Sequence, residues 1–176
     1  MVRINAALYA ISCLVLSAAS SPIKRDVSQI KADITKVSQQ TVDLDNAITA
    51  FTGNLNDALA INTKSQTLTS TVKAATSDVQ NADDFSEDDG KAIGTAIDAL
   101  VPQIESSLTH LVQKKSTFPS FAISTVQSDL QALSDSNTDF SNALASKVPD
   151  DEKDAATAFQ SQIEDAFKNA IAQYAS

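Results

Sequence analysis

From Val27 to Leu55 the apolar or near-apolar residues recur at gaps of three and four without a miss: Val27, Ile30, Ile34, Val37, Thr41, Leu44, Ile48, Phe51 and Leu55. Between them stand Lys31, Asp33, Lys36, Gln39, Gln40, Asp43 and Asp45. This alternation lays one apolar stripe along a single helix. Such a helix is not stable alone in water, so it requires partners carrying matching stripes. That requirement constrains the rest of the chain more than any other feature.

The later sequence supplies the partners. A first helix should end near Phe51 to Thr52, where Gly53-Asn54 provides the left-handed stop that Gly and Asn tolerate. A second, over about 56–81, carries Leu59, Ile61, Ser65, Leu68, Val72, Ala75, Val79 and Ala82, with the weak helix formers Asn62 and Thr63 marking a bend. Ser86 reads as an N-cap and Asp89 as the acid of a capping box. The third helix then uses Ile93, Ile97, Leu100, Ile104, Leu108 and Leu111, stops near Lys115, and should kink at Pro102. Phe118-Pro119 opens a fourth helix with Ile123, Val126, Leu130, Leu133, Asn137, Phe140 and Leu144. Val148-Pro149 opens a fifth with Ala156, Phe159, Ile163, Phe167, Ala170, Ile171 and Tyr174. Gly and Pro number only three and four in 176 residues, and hairpin dipeptides are missing. The expected fold class is all-α, an elongated antiparallel five-helix bundle, since short connections between long helices set antiparallel neighbours.

Residues 1–19 have the order of a secretory signal peptide: Arg3, an apolar run from Ile4 to Leu16, then Ser17-Ala18-Ala19. The run is too short to span a bilayer, so the mature chain has no transmembrane segment. Lys24-Arg25 is then the end of a short propeptide, residues 20–25, leaving one domain over residues 26–176. Removing Arg3, Lys24 and Arg25 leaves ten basic residues against 22 acidic, a formal charge of −12. That balance repels nucleic acid and anionic membranes. The sole cysteine, Cys13, lies in the signal segment, so the domain must rest on its core alone.

Chemistry is scarce. The mature chain has one imidazole, His110, and no thiol, which removes thiolate catalysis and the ordinary zinc sets. Acids at 83–89 open a helix, where capping explains them better than a calcium loop, because the glycine falls one place late and Thr95 stands where a bidentate glutamate belongs. No glycine-rich phosphate loop and no nucleophile elbow is present. The reading is a non-enzyme without cofactor or metal.

Polar residues at core phase are more informative. Thr41, Ser65 and Asn137 interrupt otherwise apolar stripes, and buried polar groups need partners. Either they bond a neighbouring backbone carbonyl, or they hold the polar head of an apolar ligand inside the bundle. Small residues at Ala75, Ala82, Ala156 and Ala170 would leave it room. The lining of such a tunnel is expected from Val37, Thr41, Leu44, Ser65, Leu68, Val72, Leu100, Ile104, Leu130, Leu133, Asn137, Phe140, Ile163 and Phe167.

Three stretches carry a family resemblance: Val27-Ser28-Gln29-Ile30-Lys31-Ala32-Asp33-Ile34 after the dibasic pair, Leu44-Asp45-Asn46-Ala47-Ile48, and Asn54-Leu55-Asn56-Asp57-Ala58-Leu59-Ala60-Ile61. With Phe118-Pro119 and Val148-Pro149 marking later boundaries, the chain resembles the fungal hydrophobic surface-binding protein A family, which includes cell wall galactomannoproteins. The likeness covers about residues 27–172. It implies a secreted or wall-associated mannoprotein whose partner is a long-chain fatty acid or other apolar ligand in the bundle core. The alternative it implies is a surface-active adhesin that adsorbs to hydrophobic surfaces and recruits hydrolases. Wall-bound members often carry a Ser/Thr-rich stalk and an anchor tail. The sequence ends at Ser176 without them, which leads to the expectation of a freely secreted or non-covalently retained form. The resemblance transfers no individual functional residue.

Overall fold

A computed structural model describes residues 27–175. The signal peptide, the dibasic propeptide and the start at Asp26 lie outside the described residues. Five α-helices follow one another: α1 Val27–Ala50, α2 Leu55–Gln80, α3 Glu87–Gln113, α4 Ile123–Ala145 and α5 Lys153–Ala175. The fold class is the all-α five-helix bundle that the stripes require, and among the described residues there is no strand.

Local signals set the boundaries. Gly53 adopts φ +97°, the left-handed conformation that a Cβ disfavours, and so turns the chain from α1 into α2. The Asn54 side chain caps α2, accepting from the Asp57 amide at 2.9 Å. Ser86 caps α3: its hydroxyl accepts from the Asp89 amide at 3.2 Å and donates to the Asp89 carboxylate at 2.6 Å. Short 3-10 turns, Ser120–Ala122 and Asp150–Glu152, precede α4 and α5. Both follow the prolines expected to open those helices. α3 passes through Pro102 as one helix, with the proline ring on its exposed side.

The helices pack in the cyclic order α1–α2–α4–α5–α3 and back to α1. Consecutive helices alternate in direction. The links α2 to α3 and α3 to α4 therefore cross the ring instead of joining packed neighbours, and several packed pairs run parallel. Ser38 meets Gln103 and Asp45 meets His110 between α1 and α3. Glu105 meets Gln162 and Leu111 meets Tyr174 between α3 and α5. Asn62 meets Asp129 between α2 and α4. A ring of five helices surrounds an axial space that must be filled by side chains or left partly open.

The core contains nearly every predicted stripe residue, including Ile30, Ile34, Ile48, Leu100 and Leu130, each at most 2% exposed. Val27, Ile123, Ala156, Phe159 and Ile171 are only partly buried, and two stripe ends are exposed: Leu55 and Leu59, at 54% and 55%. Leu55 falls beyond the Gly53 turn, which resets the helical phase, and Leu59 lies two residues before the next buried position, Ile61. Carbonyls in two loops and near the C-terminal end of α3 are tied by long cations and a phenol. Lys114 Nζ donates to the Phe51 carbonyl at 2.9 Å, Lys147 Nζ to Ala82 at 2.8 Å, and the Tyr174 hydroxyl to Leu111 at 2.8 Å. Burial pushes the Tyr174 phenol above its ordinary range. Among the described residues no helix is long and apolar enough to cross a membrane.

Candidate functional site

Inside the ring lies a narrow apolar cavity. Its volume is about 70 Å³. α1 contributes Val37, Thr41, Leu44 and Ile48; α2 contributes Ala58, Ile61, Asn62, Ser65, Leu68 and Val72. Ile104, Ser107, Leu108 and Leu111 come from α3, and Phe167 comes from α5. Phe118 and Ala122 precede α4, which supplies Thr125, Val126, Asp129, Leu130, Leu133 and Asn137.

Burial locates the mouth. Every lining residue is buried except Ala58, Asn62, Ala122, Thr125 and Asp129. All five lie at the N-terminal ends of α2 and α4 or just before them, so the cavity opens between these two parallel helices. The Asn62 amide donates to the Asp129 carboxylate at 2.8 Å across that opening. Leu55 and Leu59 belong to the same end of α2, and Phe121, 66% exposed, immediately precedes Ala122. Exposed apolar side chains therefore flank the opening.

Eleven of the fourteen residues expected to line a tunnel do line this cavity: Val37, Thr41, Leu44, Ser65, Leu68, Val72, Ile104, Leu130, Leu133, Asn137 and Phe167. Leu100, Phe140 and Ile163 do not; each is 2% exposed and sits in filled core instead. The room comes from Ala58, Ser65, Ser107 and Ala122 and not from Ala75, Ala82, Ala156 or Ala170. Periodicity identifies which residues face inward. It does not tell which levels along the axis are filled by facing side chains.

The polar groups divide in two. The Thr41 hydroxyl donates to the Val37 carbonyl at 2.9 Å and the Asn137 amide to Leu133 at 2.8 Å, each satisfied within its own helix. Among the described residues the Ser65 and Ser107 hydroxyls and the Asn137 carbonyl oxygen have no hydrogen-bond partner, yet all three residues face the cavity. Asn62, Ser107 and Asp129 escape a reading based on stripes. Each stands one place beside a stripe residue, next to Ile61, Leu108 and Leu130, and that adjacency is the signal they offer.

Among the described residues Asp129 is the one ionisable residue in the lining, and no lysine or histidine lines the cavity. Burial raises its carboxyl above the ordinary value, against the lowering effect of the Asn62 hydrogen bond. His110 lies outside the lining, its Nδ1 2.7 Å from Asp45 Oδ1 between α1 and α3.

Comparisons with known proteins bear on this arrangement. A family model described as hydrophobic surface binding protein A matches residues 27–146. Cell wall mannoprotein 1 of Aspergillus flavus is 26% identical over 160 residues, 90% of this chain and 58% of that protein. Its Aspergillus fumigatus counterpart is 28% identical over 142 residues, 80% of this chain and 49% of that protein. The chain thus spans about half the length of these relatives. Among solved structures, AFMP4P in complex with palmitic acid superposes with a TM-score of 0.81 at 30% identity, covering 85% of this chain and 99% of that one. Ligand binding domain 1 of Penicillium marneffei MP1 protein, complexed with arachidonic acids, gives 0.79 at 20% identity over 85% and 99% of the two chains. At that identity the likeness speaks for the fold alone.

Proposed function

The chain belongs to the hydrophobic surface binding protein A family, and from that premise we propose that it is a secreted or cell-wall protein that binds a single-tailed lipid, a long-chain fatty acid or its like, within the helical ring. The carrying observation is the cavity itself: narrow, walled by buried aliphatic side chains, and open only between α2 and α4. Each methylene moved from water into such a wall gains roughly 0.8 kcal/mol, less the cost of immobilising the chain. A tail of about a dozen carbons can therefore reach micromolar affinity without a charged partner. The palmitic acid held by the 30%-identical neighbour supports this ligand class. The eleven expected lining residues, with Ile61, Leu108, Leu111 and Val126, are the tail contacts in this reading. Nothing in the lining provides a nucleophile with an adjacent base, which favours carriage over catalysis.

Depth gives the ligand its length. Ala58 at the mouth and Val72 at the far end of the α2 wall are fourteen residues apart, about 21 Å along the helix axis, the reach of an extended tail of roughly sixteen carbons. The test is titration of delipidated protein with a fluorescent fatty acid, followed by displacement with unlabelled acids of increasing length. Affinity should rise with each carbon pair and level off near that length. Absence of saturable binding refutes the reading.

A second reading has its own observation. Leu55, Leu59 and Phe121 are large, apolar and exposed around the mouth, which favours adsorption to hydrophobic surfaces. If the protein coats a hydrophobic bead, loses its cooperative melt there, and binds no free fatty acid, adsorption replaces lipid carriage.

A further inference from the structure

We propose that Asp129 makes the cavity selective for single-tailed lipids with an uncharged polar head, such as a fatty alcohol, an amide or a monoester, over ionised fatty acids. This inference deepens the lipid-binding reading and rests on it. The geometry has three parts. First, the cavity is open only between the N-terminal ends of α2 and α4, so a tail that fills the apolar interior leaves its head at the Asn62–Asp129 pair or just inside it. Second, among the described residues the only ionisable side chain in the lining is the Asp129 carboxylate, and no lysine or histidine lines the cavity to receive an anionic head. Third, the polar groups left over inside are neutral: the Ser65 and Ser107 hydroxyls and the Asn137 carbonyl oxygen.

An ionised carboxylate at the mouth meets a like charge in a half-desolvated site, where Coulombic repulsion is larger than in water. A hydroxyl or amide head meets instead an acceptor on Asp129 and a donor on Asn62, and it exchanges one hydrogen-bonded environment for another. The Asp129 carboxylate already bears a burial cost, which the Asn62 hydrogen bond offsets in part. A second negative charge has no compensation available. Partial exposure of Asp129 screens the repulsion, so the expected discrimination is moderate, about tenfold, which corresponds to ~1.4 kcal/mol.

The experiment measures displacement of a fluorescent single-tailed probe from the delipidated protein at neutral pH. Dodecanoate and 1-dodecanol are compared below their aggregation concentrations, on wild type, Asp129→Asn and Asp135→Asn. Asn is isosteric and still accepts the Asn62 hydrogen bond, so the first variant keeps the fold; a thermal melt checks this. Asp135 sits on the exposed side of the same helix and lines no cavity, so it controls for net charge. An alcohol is more apolar than a carboxylate anywhere, and the decisive quantity is therefore the change on substitution. Asp129→Asn should tighten dodecanoate about tenfold and change dodecanol far less, because the Asn carbonyl still accepts from the alcohol hydroxyl, whereas Asp135→Asn should move neither. Equal effects of Asp129→Asn on both ligands, or none on either, overturn the head selectivity while leaving tail binding intact. Failure of both ligands to displace the probe overturns tail binding itself, and the selectivity with it.

Discussion

Ser65→Leu separates the fold from the cavity. Ser65 is 4% exposed, faces the cavity midway along the α2 wall, and lies seven residues from both Ala58 and Val72. Its replacement exchanges a hydroxyl without a partner for three carbons that project into the void. At roughly 0.8 kcal/mol per buried carbon the gain approaches ~2 kcal/mol, offset by about 1–3 kcal/mol of overpacking where the void is too narrow. The stability of the empty protein should therefore stay within about 1 kcal/mol of wild type. Binding should respond differently. A plug at this level halves the depth from about 21 Å to about 10 Å, which denies a long tail roughly eight methylenes, at most ~6 kcal/mol. If the leucine rotates aside and only a third of that is lost, ~2 kcal/mol, the dissociation constant still rises about thirtyfold. The assay pairs urea unfolding of the delipidated variant with the chain-length titration. The plateau should fall from near sixteen carbons to about eight, while Ser65→Ala keeps the wild-type profile. A folded Ser65→Leu that binds palmitic acid within about twofold of wild type refutes the placement of the tail beside Ser65.

Ile34→Ala, at a 2%-exposed site away from the cavity, should cost about 2–5 kcal/mol in chemical unfolding and leave the affinity of the remaining native protein unchanged. Gly53→Ala, at φ +97°, should cost about 1–2 kcal/mol, read from the same unfolding curve. Asp33 on α1 has its carboxyl raised above the ordinary 3.8, first by burial and then by Asp78 on α2, against the lowering effects of Gln29 and Lys36. A raised native value means that stability is full below the unfolded value and declines as pH rises through the native one. Asp33→Asn should thus raise the melting temperature at neutral pH and confer no such gain at about pH 3, where the wild-type carboxyl is already protonated. If Lys24-Arg25 is processed, intact-mass analysis of the secreted protein will find Asp26 at its start; a start at Ser20 or Ser21 refutes use of the dibasic pair.

The helices and their inward faces follow from periodicity and helix-end chemistry alone. A stripe such as Ile30, Ile34, Val37 has only one helical phase in which it is buried, and Gly53, Ser86, Pro119 and Pro149 end or begin helices through their own backbone chemistry. Most of the cavity lining was legible for the same reason, since a cavity inside a ring can be lined only by inward faces. Position along the axis was not legible. Leu100 and Leu68 are equally apolar and equally in phase, yet one fills core and the other borders open space, because that depends on which side chains from the other helices arrive at the same level. The cyclic order α1–α2–α4–α5–α3 was likewise hidden, as periodicity is a property of one helix and neighbours are a property of five. That order brings the N-terminal ends of α2 and α4 side by side. It thereby joins Asn62 to Asp129, 67 residues apart in sequence, and places the single charge of the lining at the one open edge. Only the tertiary structure can decide such a pairing, because its cause is the packing of helices that do not follow one another in the chain.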